Sequence, residues 1–266
     1  MTKRKLKWYA AGLTVLFLLL FLGSVFWPYD PFSIDPESIW LPIGKNHLLG
    51  TDSLGRDVMA RLLYGGRSSV LLAFLVEVIA FPVGAALGYL GAGLQGNVIR
   101  IVDWIMDVWF AFPTIIMALL LAGMLGPGWM NVLCVIVITE IPMYYIYTKR
   151  EVKRIKNELF VQVLREMGVS RRRIFIHHIS IHLLPFLIPK IVFNFATTII
   201  FESTLSFIGI GIQAPMPSWG NMISDGLPFM RVHPEMLFAT SVFFAVTTLL
   251  LFGFAEALGE KLGGKK

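Results

Sequence analysis

Residues 108–139 read VWFAFPTIIMALLLAGMLGPGWMNVLCVIVIT, which is 32 consecutive residues without a charged side chain. Because about 20 apolar residues cross the hydrocarbon core as a helix, this stretch is too long for one crossing. The triplet Gly126-Pro127-Gly128 interrupts it, as glycine and proline do in turns. The stretch therefore predicts two membrane-spanning helices, over about residues 101–125 and 129–147.

Four further apolar runs lie on either side of this pair. Each is at least 20 residues long and holds at most two charged residues; they are 8–27, 68–90, 186–212 and 236–255. In the 266-residue chain, 56% of residues are hydrophobic and 15% are charged, against about 25% charged in a typical soluble domain. This composition excludes an ordinary soluble enzyme. The runs predict an all-α membrane protein with six transmembrane helices.

The basic residues predict which side of the membrane each loop occupies. With the N-terminus inside, 18 of the 23 Lys and Arg residues fall in inside segments, chiefly 1–7 and 148–190. Since inside loops carry the excess of Lys and Arg, we expect both termini to be cytoplasmic. The first run ends in Phe26-Trp27-Pro28 without a small-residue cleavage site, which indicates an uncleaved helix. The net charge of +6 therefore reflects topology and gives no reason to expect nucleic-acid binding.

The longest inside loop, residues 148–190, carries a helical pattern. Apolar residues recur at spacings of 3 or 4 from residue 152 to residue 167, which is typical of one helical face. We expect Gly168 to end this helix and Ser170 to cap a second one that starts at three arginines. The first helix either rests on anionic lipid headgroups or docks on a partner protein, and its residues favour neither.

On the outside, Asp52, Arg56 and Asp57 lie close together between the first two runs. Opposite charges at this spacing predict local ion pairs, worth at most about 1 kcal/mol each when exposed. Gly50 and Gly55 permit tight turns between them. The segment is expected to form a folded cap over the outer ends of the helices.

Carboxylates inside the predicted spans indicate polar surroundings. Glu202 lies near the centre of the fifth helix, where a charge costs roughly 2.5–3.5 kcal/mol, so it should face a water-filled path or a polar partner. Glu77 and Glu140 are interpreted in the same way. The candidate path residues are Glu77, Glu140, Glu202 and Ser206. Asp103 and Asp107 share one helical face near the inner interface and are expected to pair with basic residues of the inner loops.

Two other patterns are assigned structural roles. Gly84 and Gly88 form a G-x-x-x-G pair, which lets helices approach closely and is expected to serve packing within the chain. His178 and His182 have a spacing that suits zinc, but neither a third ligand nor an H-E-x-x-H motif accompanies them. We therefore predict no metal site and no catalytic residues. Without a complete phosphate-loop motif, we also predict no ATPase site in this chain.

Three stretches resemble the permease subunits of peptide/nickel-type ABC importers. Residues 48–70, LLGTDSLGRDVMARLLYGGRSSV, are similar to L-G-T-D-x-x-G-R-D-x-x-S-R-L-x-Y-G-x-R-x-S of that family. Residues 202–220 resemble its E-x-x-L-S-F-L-G-L-G-x-x-x-P-x-P-x-W-G. The inner loop resembles the cytoplasmic signature called the EAA loop at Gly168, Ser170 and His178. The outer residues that match are Gly50, Thr51, Asp52, Gly55, Arg56 and Asp57. The namesake Glu-Ala-Ala is replaced by Gln162, Val163 and Leu164.

The resemblance implies a type I ABC importer permease fold. Its parts would be an anchor helix and outer loop (1–67), a five-helix core (68–256) with a cytoplasmic coupling loop at about 148–185, and a cytoplasmic tail (257–266). The coupling-loop residues implied to meet an ATPase are Gln162, Val163, Leu164, Arg165, Glu166, Met167, Gly168, Ser170 and Arg171.

The resemblance also implies a heteromeric assembly in a bacterial-type cell membrane. The partners would be a second homologous permease, two ATPase subunits that bind ATP and Mg, and an extracytoplasmic binding protein, while this chain would hold no cofactor. Peptides, nickel and metal–metallophore complexes all remain open as cargo, as do hetero- and homodimeric pairing. The alternative is an ion-gradient-driven secondary transporter that uses the membrane carboxylates; inverted repeats, expected for that class, are not evident in the sequence.

Overall fold

The computed structural model describes residues 2–263, which form helices and loops; this range contains one isolated bridge, between Thr51 and Asp57, and no strand. Residue 1 and residues 264–266, the end of the predicted tail, lie outside it. The helices are α1 (Thr2–Phe26), α2 (Val58–Gly93), α3 (Asn97–Ala111), α4 (Thr114–Leu125), α5 (Trp129–Lys156), α6 (Leu159–Glu166), α7 (Arg171–Phe207), α8 (Trp219–Gly226) and α9 (Glu235–Leu262). Helix α7 includes a π-helical segment, Ile174–Ile179. Two short 3₁₀ helices, Pro36–Ser38 and Leu227–Phe229, lie in the outer loops.

Five helices, α1, α2, α5, α7 and α9, are long and apolar enough to cross a membrane. The remaining predicted crossing, over residues 101–125, is divided into α3 and α4, whose axes differ in direction by 95°. The prediction of one continuous helix over residues 101–125 was therefore wrong. Pro113 has no N–H and disfavours helical geometry at the residue before it. Phe112 is accordingly extended, with φ −90° and ψ 139°.

Helix α2 begins at Val58, ten residues before the predicted start of its apolar run. Asp57 caps it by accepting a hydrogen bond from the backbone N–H of Ala60 at 2.6 Å. The additional helical turns contain Arg61 and Arg67. The sequence prediction placed both residues in a loop, because the apolar run starts only at residue 68. Both are accommodated by polar partners, Arg61 at Asp52 and Arg67 at the hydroxyl of Ser24.

Helices α2 and α5 pack closely along their inner halves. A Cβ added at Gly84 would lie 2.6 Å from the carbonyl oxygen of Ile141, and one at Gly88 would overlap the carbonyl oxygen of Tyr145. Only glycine allows this approach, since any side chain would force the backbones apart. The predicted role of the glycine pair in packing within the chain is confirmed.

The inner loop differs from the single amphipathic helix predicted over residues 151–167. Helix α5 runs on to Lys156, and the extended backbone of Glu158 separates it from α6. The break turns α6 so that Val161 joins the core formed with Val152 and Ile155. Gly168 then has φ +78°, and the Ser170 hydroxyl accepts from the N–H of Arg173. The predicted stop and cap are confirmed, while the continuous helix was wrong.

Candidate functional site

Asp52 organises the outer cap, defined as residues 27–61. Its carboxylate accepts hydrogen bonds from the Arg56 Nε at 2.7 Å and from the backbone N–H groups of Leu54 and Arg56 at 2.9 and 3.0 Å. The Arg61 Nε lies 3.4 Å away. The pairing of Asp52 with Arg56 is as predicted, but its exposure was not: Asp52 is 1% exposed. Removing one partner of a buried pair costs about 3–5 kcal/mol, far more than an exposed pair contributes.

Asp57 joins three parts of the cap. Besides capping α2, its carboxylate accepts from the indole Nε1 of Trp27 at 3.0 Å and lies 2.8 Å from the Nδ1 of His47. Gly55 adopts φ +73°, and an added Cβ would overlap the carbonyl oxygen of Asp35. The Thr51 hydroxyl accepts from the N–H of Leu41 at 2.7 Å. The geometry of these turns therefore rests on contacts between segments 10 to 30 residues apart within one folded unit.

A cavity of about 540 Å³ lies between the outer cap, the outer end of α7 and helix α8. Its charged lining includes Arg56, Arg61 and Asp225, with 4.0 Å between Arg61 and Asp225. Partial burial raises the pKa of the Asp225 carboxyl, whose side chain is 53% exposed, and the charge of Arg61 lowers it in part. Ser206 lines the same cavity. Sequence reasoning missed Asp225, whose pairing with α2 depends on the fold of α8.

Glu202 is fully buried where α2, α7 and α8 meet. It accepts hydrogen bonds from the hydroxyl groups of Ser206 at 2.7 Å and Ser203 at 3.4 Å. Ser206 in turn accepts from the N–H of Ile212 at 3.0 Å, which fixes the chain after α7. Within the chain, Glu202 therefore meets hydroxyl groups, the polar partners that its position requires; a path-lining role for it stays a prediction.

Glu77 and Glu140 come together in the middle of the helix bundle, from α2 and α5. The Thr198 hydroxyl, on α7, lies 3.0 Å from Glu77 Oε1 and 3.3 Å from Glu140 Oε1. Tyr144 donates to Glu77, and Asn194 donates to Glu140 at 3.4 Å. Glu77 also borders a cavity of about 420 Å³ between α2 and α7. This polar cluster links three helices and borders a space that is otherwise apolar.

Helix α6 presents an apolar surface from the coupling loop. Leu159, Val163 and Met167 are 72%, 47% and 73% exposed, because the turn of α6 buries Val161 instead. Leu164 is half-buried against the inner core. The predicted coupling residues that remain exposed are Gln162, Val163, Arg165, Glu166, Met167, Gly168, Ser170 and Arg171. An exposed row of this kind in a charged loop is typical of a protein-binding surface.

Two other predicted clusters have structural contacts. Asp103 accepts from Lys149 and Tyr145, which confirms its pairing with the inner loop. The ring of His182 stacks on Phe160 at 4.4 Å, and its Nδ1 lies 2.8 Å from the carbonyl oxygen of His178. Within residues 2–263, no group of three or more His, Cys, Asp or Glu side chains is placed to hold a metal ion.

Known proteins similar to this chain are membrane transport components. The family described as "Binding-protein-dependent transport system inner membrane component" matches residues 80–264. "Probable D,D-dipeptide transport system permease protein DdpC" of Escherichia coli K12 is 32% identical over 263 residues, covering 95% of this chain and 87% of that protein. The glutathione transport system permease protein GsiD of Pectobacterium atrosepticum is 32% identical over 274 residues, covering 98% and 90%.

The fold matches a solved ABC transporter. A chain of the MetNI methionine ABC transporter in an inward-facing conformation superposes with a TM-score of 0.63 and 14% identity, covering 77% of this chain and 97% of that chain. The predicted type I ABC permease fold is confirmed.

Proposed function

The chain belongs to the family of binding-protein-dependent transport system inner membrane components, and on that premise we propose that it carries short peptides across the bacterial inner membrane. It is a permease subunit of an ABC importer. This assignment favours ATP-driven import over the ion-gradient alternative, since transport in the family depends on a binding protein.

The cargo proposal rests on the names of the relatives. They are described as permeases for D,D-dipeptides, dipeptides and glutathione, all of which carry peptide-type amide groups and charged ends. Nickel and metal–metallophore complexes do not appear in those names. A short peptide is therefore the better-supported cargo, and the extracytoplasmic binding protein would select it.

The working assembly would contain a second homologous permease and two ATPase subunits, which bind ATP and Mg. The observation that carries this part is the exposed apolar row of α6, Leu159, Val163 and Met167. Helix α6 lies between α5 and α7, and these two helices carry Glu140 and Thr198 to the middle of the bundle. Movement of α6 with an ATPase would therefore tilt the helices that surround the cluster, as alternating access requires. ATP and cargo shift that equilibrium only through different affinities for its two states.

Val163→Asp tests the assembly, because a charge in the row should prevent docking. We expect the ATPase subunits to be lost on affinity purification of the variant and peptide-stimulated ATP hydrolysis to fall at least tenfold. Ile34→Asp is the control, since Ile34 is also an exposed apolar residue, 60% against 47% for Val163, and lies on the predicted outer side. Unchanged co-purification of the ATPases with Val163→Asp would contradict the proposal. Mass spectrometry of ligands released from the binding protein separately tests whether the cargo is a peptide.

A further inference from the structure

A separate cavity of about 390 Å³ lies at the predicted cytoplasmic end of the bundle. Four parts of the chain enclose it: the segment after α2, the end of α5, helix α6 and the start of α7. Its charged lining is Lys156, Arg165 and Arg171, and the amide of Gln95 adds a further polar group. All charges on the lining are positive, and the three come from α5, α6 and α7.

The three cations lack acidic partners in the described part of the chain. None of them forms an ion pair there, and Lys156 donates to the carbonyl oxygen of Ala92 at 2.5 Å. Glu151 and Glu158, the nearby acids of the loop, both pair with Arg154, at 2.8 and 3.0 Å. Glu166, the acid next to Arg165 in the sequence, is exposed and does not line the cavity.

Like charges around one concavity repel each other, and a low-dielectric wall strengthens the effect. The Lys156 ammonium lies 5.4 Å from the centre of the Phe175 ring, and it is half-buried. In the cavity lining, the Lys156 ammonium thus lies over the Phe175 ring, while Arg165 and Arg171 are exposed. Such an arrangement is stabilised when an anion enters.

We propose that this cavity binds a phosphate group, presented by an anionic lipid headgroup or by a soluble phosphate ester. Guanidinium groups match phosphate oxygens with paired N–H donors, and an ammonium supplies a further point charge. Basic pockets between helices on the cytoplasmic side are suited to anionic headgroups. The apolar lining at Ile174 and Ile179 would contact the adjoining carbon chain of such a ligand. The cavity shares Arg165 and Arg171 with the predicted coupling loop, but the exposed apolar residues Leu159, Val163 and Met167 do not line it.

The test uses the assembled importer, purified with its partner subunits. In one arm, native mass spectrometry measures phosphatidylglycerol retained from nanodiscs of that lipid, with phosphatidylcholine nanodiscs for comparison. In the other arm, inorganic phosphate is titrated into detergent-solubilised complex by calorimetry. Arg165→Gln and Arg171→Gln should each weaken the binding about tenfold, because each removes a charge-assisted contact. Arg172→Gln, at an exposed neighbour outside the cavity lining, should leave it unchanged.

The two arms distinguish the source of the phosphate. Lipid retention that depends on Arg165 and Arg171 assigns a headgroup, whereas phosphate binding without lipid retention assigns a soluble ester. The charge-conserving variants Arg165→Lys and Arg171→Lys should restore part of the binding and separate charge loss from misfolding. Equal effects of Arg172→Gln, or no binding in either arm, would overturn the proposal. Ion pairs between both arginines and carboxylates of the ATPase in the complex would also overturn the proposal, since the cavity would then be filled by the partner protein.

Discussion

The indole N–H of Trp27, just beyond the end of α1, donates to the carboxylate of Asp57 at the start of α2 at 3.0 Å. This bond closes a 30-residue outer loop onto the two helices that flank it. The same carboxylate caps α2, so one side chain both begins a transmembrane helix and holds the loop before it.

Asp57→Ala should therefore destabilise the permease substantially. The change removes a helix cap, worth about 0.5–2 kcal/mol, and leaves the Trp27 donor without its partner, at about 1–3 kcal/mol. We expect a loss of about 3 kcal/mol, measured as a fall in melting temperature of the detergent-solubilised protein. Asp30→Ala is the control, because exposed Asp30 has only a local contact with the N–H of Phe32. Equal melting temperatures for the two variants would refute a structural role for Asp57.

Gly55→Ala should unfold the outer cap. The residue adopts φ +73°, and a methyl group would overlap the carbonyl oxygen of Asp35, so both strain and overlap oppose the change. We expect more than ~2 kcal/mol of destabilisation and faster proteolysis of residues 28–57. Gly123→Ala is the matched control, because it lies in α4 with no atom within 4 Å of the added carbon. A cap equally resistant to protease in both variants would disprove the expectation.

Glu77 and Glu140 should respond differently to amide substitution. The one proton of the Thr198 hydroxyl cannot be donated to both carboxyl groups, so the second contact needs a proton on a carboxyl. Glu77 already accepts a hydrogen bond from Tyr144, so we expect Glu140 to be the carboxyl group that carries the proton. Glu140→Gln should then be tolerated, while Glu77→Gln should cost about 1–3 kcal/mol.

Infrared spectroscopy checks this assignment directly. A protonated carboxyl has a carbonyl stretching band, and difference spectra should lose that band in Glu140→Gln but retain it in Glu77→Gln. Thermal stability of the two variants provides the second measurement. Loss of the band only in Glu77→Gln would reverse the assignment.

Gly168 should control coupling through its backbone conformation. It has φ +78°, and an added Cβ would meet no atom within 4 Å, so strain and not space opposes a side chain. Gly168→Val should reduce peptide uptake per ATP hydrolysed at least fivefold by changing the direction of α6. Gly168→Asn should retain most of the coupling, because asparagine tolerates this conformation better than a β-branched residue. Similar coupling ratios in proteoliposomes for both variants would exclude the backbone as the cause.

The features that could be predicted from sequence are those with local causes. Charge-free runs located the membrane helices because a bilayer penalises each buried charge, and Gly168 and Ser170 marked a stop and a cap through their own conformational preferences. The charge spacing and the glycines of residues 50–57 correctly predicted a structured cap. That spacing carries no information on burial, because Asp52 becomes enclosed only when distant chain segments fold over it.

The remaining features depend on tertiary packing. The spacing of apolar residues over 152–167 fits one helix, yet burial of Val161 outweighs that periodicity and turns α6 away from α5. The contact of Asp225 with Arg61 joins residues far apart in the chain, and its short helix carries no signal of it. The bend at Pro113 was not predicted from the sequence. The charge-free stretch 108–139 is too long for one crossing, and the break at Gly126-Pro127-Gly128 was enough to explain that length.

That bend limits which surroundings the subunit accepts. At Phe112 and Pro113 the helical ladder of backbone hydrogen bonds is interrupted, and the N–H of Phe112 reaches only the carbonyl oxygen of Trp109, at 3.4 Å. Hydrocarbon tails offer no partners to peptide groups freed in this way. The elbow between α3 and α4 must therefore lie against another protein surface or against water. Through one proline, the subunit thus acquires a side at which contact with lipid tails is unfavourable.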